Sequence, residues 1–145
     1  MLDAYRELID DLLSTPSEIR GLVDASGELG PSPKAKRLVA EIRNRDRAIL
    51  ERAQTITRQE TPYLPALQLA ASTEDEDLSV LMEEMEVARG DLVSLLINLS
   101  LKDWARGAID ESEGEITLAD EIEQHVEFDE AQRLKLRETI SGSRS

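Results

Sequence analysis

The chain contains no cysteine and one histidine, His125, among its 145 residues. The lack of cysteine excludes a disulfide framework, a thiolate nucleophile, an iron–sulfur cluster and cysteine-held zinc. A single imidazole falls short of the two or three that most catalytic zinc sites use. Aromatic residues are equally scarce, with Tyr5, Tyr63, Trp104 and Phe128 making up the whole set. No apolar run approaches the roughly 20 residues that a membrane-spanning helix needs. At the amino terminus, Asp3, Glu7, Asp10 and Asp11 interrupt anything that could read as a targeting signal. Basic residues number 17 against 31 acidic ones, and the formal charge of −14 opposes nucleic acid and anionic membranes as ligands. These shortages lead to the expectation of a cytoplasmic protein with neither a nucleic-acid nor a membrane partner.

What the chain does have is helical patterning. Hydrophobic residues make up 40% of it, mostly Leu, Ile and Ala, enough for one core. Residues 1–140 read as a single domain and 141–145, Ser-Gly-Ser-Arg-Ser, as a flexible tail. The first apolar pattern runs from Leu2 to Leu13. Thr15, Pro16 and Glu18 then have the spacing of a capping box, which predicts a restart or kink there before a short stripe of Ile19, Leu22 and Val23. Ser26-Gly27 and Gly30-Pro31 break the chain, and Ser32-Pro33 opens a second helix with Leu38, Ile42, Ile49, Ala53 and Ile56 on one face. Residues 59–73, with Pro62 and Pro65, read as a crossover between helices that are not simple hairpin neighbours. The strongest periodic signal follows from Leu78 to Leu99, about 33 Å of helix at 1.5 Å per residue. Ser100 with Asp103 opens a short turn through Trp104, residues 107–115 are polar and turn-like, and Thr117 with Asp120 caps a last helix to Ile140. Little of this predicts strand, and the fold class is all-α, a four-helix bundle.

Charge is segregated along the chain. Residues 33–58 carry a balance of +5, residues 72–91 one of −7 and residues 103–130 one of −10. A basic second helix between acidic elements is either a surface for an anionic partner or, as the favoured reading, internal charge complementarity.

Several chemistries fail on spacing. Placing Gly114 at the glycine of a calcium loop puts Ile109 where a carboxylate must be. A di-iron carboxylate bundle needs Glu-x-x-His, and Ile122 precedes His125 by three residues. No glycine-rich phosphate loop or nucleophile elbow is present, so no catalytic or cofactor-binding residues are assigned. Met82 and Met85 read as core filling and Trp104 as a packing anchor.

Laid end to end, several segments resemble the DinB-like superfamily. They are Asp11 to Ile19 (DLLSTPSEI), Leu38 to Asp46 (LVAEIRNRD), Asp91 to Leu96 (DLVSLL), Trp104 to Gly107 (WARG), and Gly114 to Leu118 (GEITL) leading to Phe128-Asp129-Glu130-Ala131-Gln132. The resemblance implies a four-helix bundle with a long crossover between the second and third helices, often dimeric. It also implies relatives that hold a divalent metal by three histidines, among them thiol-dependent transferases and isomerases. Carried over by position, the family's metal histidines fall on Glu41, Phe128 and Gln132, and the usual Trp-Ser before the second helix is replaced by Pro31-Ser32-Pro33-Lys34. Phe128 has no donor atom and Gln132 only a neutral amide, so no metal is expected at this degenerate triad. A pocket of Glu41, His125, Phe128, Asp129 and Gln132 is expected instead. The functional expectation is a non-catalytic or small-ligand-binding homodimer without a cofactor. One alternative is a divalent-metal enzyme of the thiol transferase or hydrolase class, with Glu41, Asp129 and His125 favouring manganese or magnesium. The other is an acidic protein-interaction module.

Overall fold

A computed structural model describes residues 5–25, 32–69 and 76–143. The expected breaks at Ser26-Gly27 and Gly30-Pro31, the end of the crossover at Thr73 and the last two residues of the expected tail lie outside them. Four long helices form the bundle: α1 (Arg6–Ala25), α2 (Pro33–Arg58), α3 (Leu78–Ile97) and, after the one-turn α4 (Leu101–Trp104), α5 (Leu118–Ser143). Short strands β1 (Tyr63–Leu64), β2 (Gly107–Asp110) and β3 (Gly114–Thr117) sit at one end.

Local capping chemistry sets most of these boundaries. The Ser32 hydroxyl accepts from Ala35 N at 3.1 Å, and Pro33 supplies the first residue of α2, where a missing N–H costs nothing. Reciprocal capping boxes form at Ser100 with Asp103 and at Thr117 with Asp120. α5 continues to Ser143, past the end expected at Ile140, so residues 141–143 of the expected tail are helical.

The box expected at Thr15 does not form. α1 is one continuous helix with Pro16 inside it, and buried Thr15 donates its hydroxyl to Asp129 Oδ2 on α5 at 2.9 Å. Pro16 has no N–H to give to the carbonyl of Leu12, four residues back. Arg89 of α3 donates to that carbonyl at 2.8 Å instead. A tertiary donor has replaced the lost helical one, so the helix need not restart.

Pairings along the helices set their directions. Arg43 of α2 meets Glu84 of α3, and Asp46 meets Arg89, so numbers rise together and α2 and α3 run parallel. Arg52 meets Glu121, whereas Gln132 meets Leu38, so α5 is antiparallel to α2. Parallel neighbours cannot be joined by a tight turn, which is why the long crossover through Pro62 and Pro65 is needed.

The polar stretch 107–115, expected as a turn, is in fact mostly a β-hairpin. β2 pairs antiparallel with β3, with Ala108 opposite Ile116 and Asp110 opposite Gly114. Gly114 closes the three-residue loop at φ +78°, a conformation that glycine adopts without strain. β1, from the crossover, adds parallel to β2, with Ile109 N donating to Pro62 O at 2.8 Å and Glu111 N to Leu64 O at 3.0 Å.

Apolar packing divides into two clusters along the bundle. One gathers Leu12, Ile49, Ile56, Leu92, Leu96, Leu118 and Ile122 around Trp104, whose indole stacks on Tyr5 with centroids 4.4 Å apart. The other gathers Ile19, Leu38, Ile42, Leu81, Met82, Met85 and Leu136. Fully burying one such Leu or Ile side chain contributes roughly 1.5–3 kcal/mol. Polar side chains fill the level between the clusters.

The segregated charges meet inside the molecule. Arg43 pairs with Glu76 at 2.7 Å and Glu84 at 2.9 Å, and Arg47 lies 3.6 Å from Glu84. Arg52 pairs with Asp110 at the hairpin and with Glu121 on α5, and donates to Pro65 O in the crossover. Three bases of α2 are thus matched by acidic neighbours, Arg43 and Arg52 while buried.

Candidate functional site

The sequence-derived pocket residues occupy α2 and α5, which face each other across the middle of the bundle. On α5, His125, Asp129 and Gln132 are buried and Phe128 is half-buried; on α2, Glu41 is half-buried. Gln132 Nε2 donates to Leu38 O at 3.1 Å and to Glu41 Oε1 at 3.2 Å. Phe128 lies beneath Arg45, whose Cζ is 4.9 Å from the ring centroid, and faces the His125 ring at 6.2 Å. Of the three positions that the resemblance assigns to metal ligands, Glu41 and Gln132 therefore meet, and Phe128 is capped by a guanidinium.

His125 and Asp129 belong to a second, buried network, joined to the first through Phe128 and Arg45. Arg89 of α3 sits at its centre, 2% exposed. Its guanidinium is bidentate to Asp129, with Nη1 to Oδ2 at 2.7 Å and Nη2 to Oδ1 at 2.8 Å. Its Nε donates to Asp46 Oδ1 of α2 at 3.0 Å, and Nη1 also reaches the Leu12 carbonyl of α1. One planar cation thus ties together all four long helices, using the fork geometry that suits Arg to carboxylates.

Outer partners hold the two carboxylates in place. The Thr15 hydroxyl donates to Asp129, and Arg133, which pairs with Glu18 at 3.0 Å, donates to the Thr15 oxygen at 2.8 Å. Arg45 Nε donates to His125 Nδ1 at 3.1 Å, and His125 Nε2 lies 2.6 Å from Asp46 Oδ1. An accepting Nδ1 assigns the imidazole proton to Nε2, where it points at Asp46. Burial lowers the Arg89 pKa, but the Asp46 and Asp129 carboxylates more than reverse this and leave it raised. Burial also lowers that of Arg45, with the nearby Arg52 acting in the same direction.

Neither Arg89 nor Asp46 stands out by hydrophobic content, yet both are signalled by position. Asp46 fills the gap between Ile42 and Ile49, and Arg89 sits four residues after Met85 and three before Leu92. Opposite charges at core positions of two helical stripes are the pattern of a buried pair.

No family model matches the chain, and no curated protein does. Among solved structures, YfiT from Bacillus subtilis superposes with a TM-score of 0.74 at 16% identity, covering 92% of this chain and 84% of that one. That protein is described as a probable metal-dependent hydrolase with an unusual four-helix bundle topology. The present chain has that four-helix-bundle fold, the architecture the resemblance implies.

The side chains of this bundle do not fit the divalent metal implied by the resemblance. Phe128 offers no donor, Gln132 offers only a neutral amide oxygen, and Asp129 is already bound through both oxygens by Arg89. A divalent cation on the Asp46 and Asp129 carboxylates would have to displace a guanidinium and meet its charge. Glu41, Asp129 and His125 lie in two different contact sets, and among the described residues no three His, Asp or Glu side chains are placed to hold a metal together. Nor is any helix among those residues long and apolar enough to cross a membrane.

Proposed function

We propose that this protein is a non-catalytic DinB-like bundle in which the Arg89 guanidinium takes the place of a metal ion as the cation at the centre of the helices. One observation carries the reading: Arg89 bonds Asp46, Asp129 and the Leu12 carbonyl at once, while buried. Its charge is permanent and covalently held, so it supplies a cation to the two central carboxylates without an exogenous ion. Except for Asp46 Oδ2, which is buried without a hydrogen-bond partner, the polar atoms around it are paired with one another, and His125 and Asp129 are engaged in structure rather than presented to a substrate.

Metal analysis of protein purified without chelator, together with thermal melts with and without EDTA, tests the proposal. Substoichiometric zinc, nickel, iron and manganese and an unmoved melting temperature are expected, because a ligand that binds only the native state must stabilise it. Near-stoichiometric metal lost to EDTA, with a lowered melting temperature, overturns the reading.

A further inference from the structure

The outer face of α3 departs from the pattern of its neighbours. α3 is the most apolar of the four long helices, and although most of its apolar residues are buried, some lie on the outer face among its acids. Apolar side chains on the solvent face of an amphipathic helix are the exception to its usual division into apolar and polar faces. Here Val87 is 63% exposed and Val80 and Ile97 are also exposed.

Val87 borders a groove of about 830 Å³ between α2 and α3. Leu50, Val87 and Ala88 provide its apolar lining, with Glu83 and Asp91 along its α3 side. Glu83, Val87 and Asp91 recur every four residues and form one row about 12 Å long at 1.5 Å per residue. Two other lining acids are matched internally, Glu84 by Arg43 and Arg47, and Glu86 by Arg20. Glu83 and Asp91 form no salt bridge among the described residues, Glu83 acting on the Arg20 charge without pairing with it, so the row reads acid, valine, acid.

We infer that this groove receives an amphipathic helix of a partner protein, with an apolar side chain on Val87 and Lys or Arg one turn away on either side. A helix laid along the groove between two parallel helices repeats the bundle's own packing and places its i, i+4 and i+8 positions against the row. Charge complementarity selects a basic helix: the chain carries −14 overall, and an acidic or neutral helix would leave Glu83 and Asp91 unmatched. The inference goes beyond the non-catalytic reading and does not depend on it, since it concerns the outer surface rather than the centre.

The test uses the full chain, isotopically labelled, and a synthetic Leu/Lys amphipathic peptide of about 18 residues, long enough to span the row. The expected result is backbone shift changes concentrated at Leu50, Glu83, Val87, Ala88 and Asp91, with affinity falling as salt rises. The Glu83→Lys/Asp91→Lys variant weakens binding about tenfold or more, and Val87→Ser weakens it with no change in charge. Glu123→Lys/Glu127→Lys on α5, which alters net charge equally, leaves affinity unchanged. Equal weakening by the two double variants, or shift changes centred elsewhere, overturns the inference. So does a dimer in sedimentation that Val87→Ser converts to monomer, because a second copy would then own the groove.

Discussion

Pro16 and Arg89 share one atom, the carbonyl oxygen of Leu12. Pro16 withholds the amide hydrogen that a helix would bring to it, and Arg89 supplies one from α3 at 2.8 Å. The proline thereby creates an acceptor on the inner side of α1, and the central cation uses it. A double-mutant cycle should detect this coupling. Arg89→Met alone leaves two buried carboxylates without their cation and should cost about 3–5 kcal/mol in urea unfolding. In a Pro16→Ala background the restored N–H satisfies Leu12, and the same substitution should cost about 1 kcal/mol less. An unchanged cost would mean that the shared carbonyl carries no energy.

The Arg52 cluster predicts a dependence on pH. Burial raises the Asp110 pKa, but the Arg52 guanidinium and the N–H groups of Glu113 and Ser112 outweigh it and leave it below the usual carboxylate range. A carboxyl depressed in the folded state contributes stability that is fully present above its unfolded pKa and is lost as pH falls through the folded one. Asp110→Asn keeps an oxygen for the loop but loses the charge. Urea titrations should show the variant less stable than the parent at pH 7 by about 1.5–3 kcal/mol, the range for hydrogen bonds to charged groups. That gap should narrow below pH 4, and a constant gap from pH 7 to pH 2 would remove Asp110 as its source.

Features with local causes were legible in the sequence. The stripes of α2 and α3, and the caps at Ser32, Ser100 and Thr117, depend on residues within one or two turns, and the proline-bearing crossover follows from local geometry too. Thr15 shows where such reading stops. Its spacing to Glu18 satisfies a capping rule, yet Asp129, 114 residues away, captures the hydroxyl. β2 and β3 are short and polar and owe their conformation to pairing, which no single segment encodes. At the site, the substitutions at 41, 128 and 132 are readable by position. That Asp129 serves Arg89 while Gln132 serves Glu41 depends on how α3 and α2 pack against α5.

Two glycines should respond to alanine with opposite signs. Gly114 has φ +78° with open space around a built Cβ, so Gly114→Ala pays for backbone conformation alone, about 1–2 kcal/mol. Gly90 lies within α3 at a negative φ, and a Cβ there also meets nothing within 4 Å. Gly90→Ala should stabilise by roughly 0.5–1 kcal/mol through helix propensity. Thermal melts of the two single variants measure this, and a shared sign would show that contacts rather than backbone conformation dominate.

The last prediction concerns whether the family's ligand positions still converge. Glu41 and Gln132 meet at 3.2 Å, and Phe128 lies one turn before Gln132 on α5. Imidazoles at all three positions would bring two donors from α5 and one from α2 to a common point. The Glu41→His/Phe128→His/Gln132→His variant should therefore bind zinc or nickel, although the parent lacks such a donor set. Metal at about 100 times its Kd would add about 2.7 kcal/mol to the variant's stability and nothing to the parent's. Isothermal titration and metal-dependent melts report both quantities. A folded triple variant that binds neither ion would place the family's triad at other residues of this bundle, and the assignment of Glu41, Phe128 and Gln132 would fall.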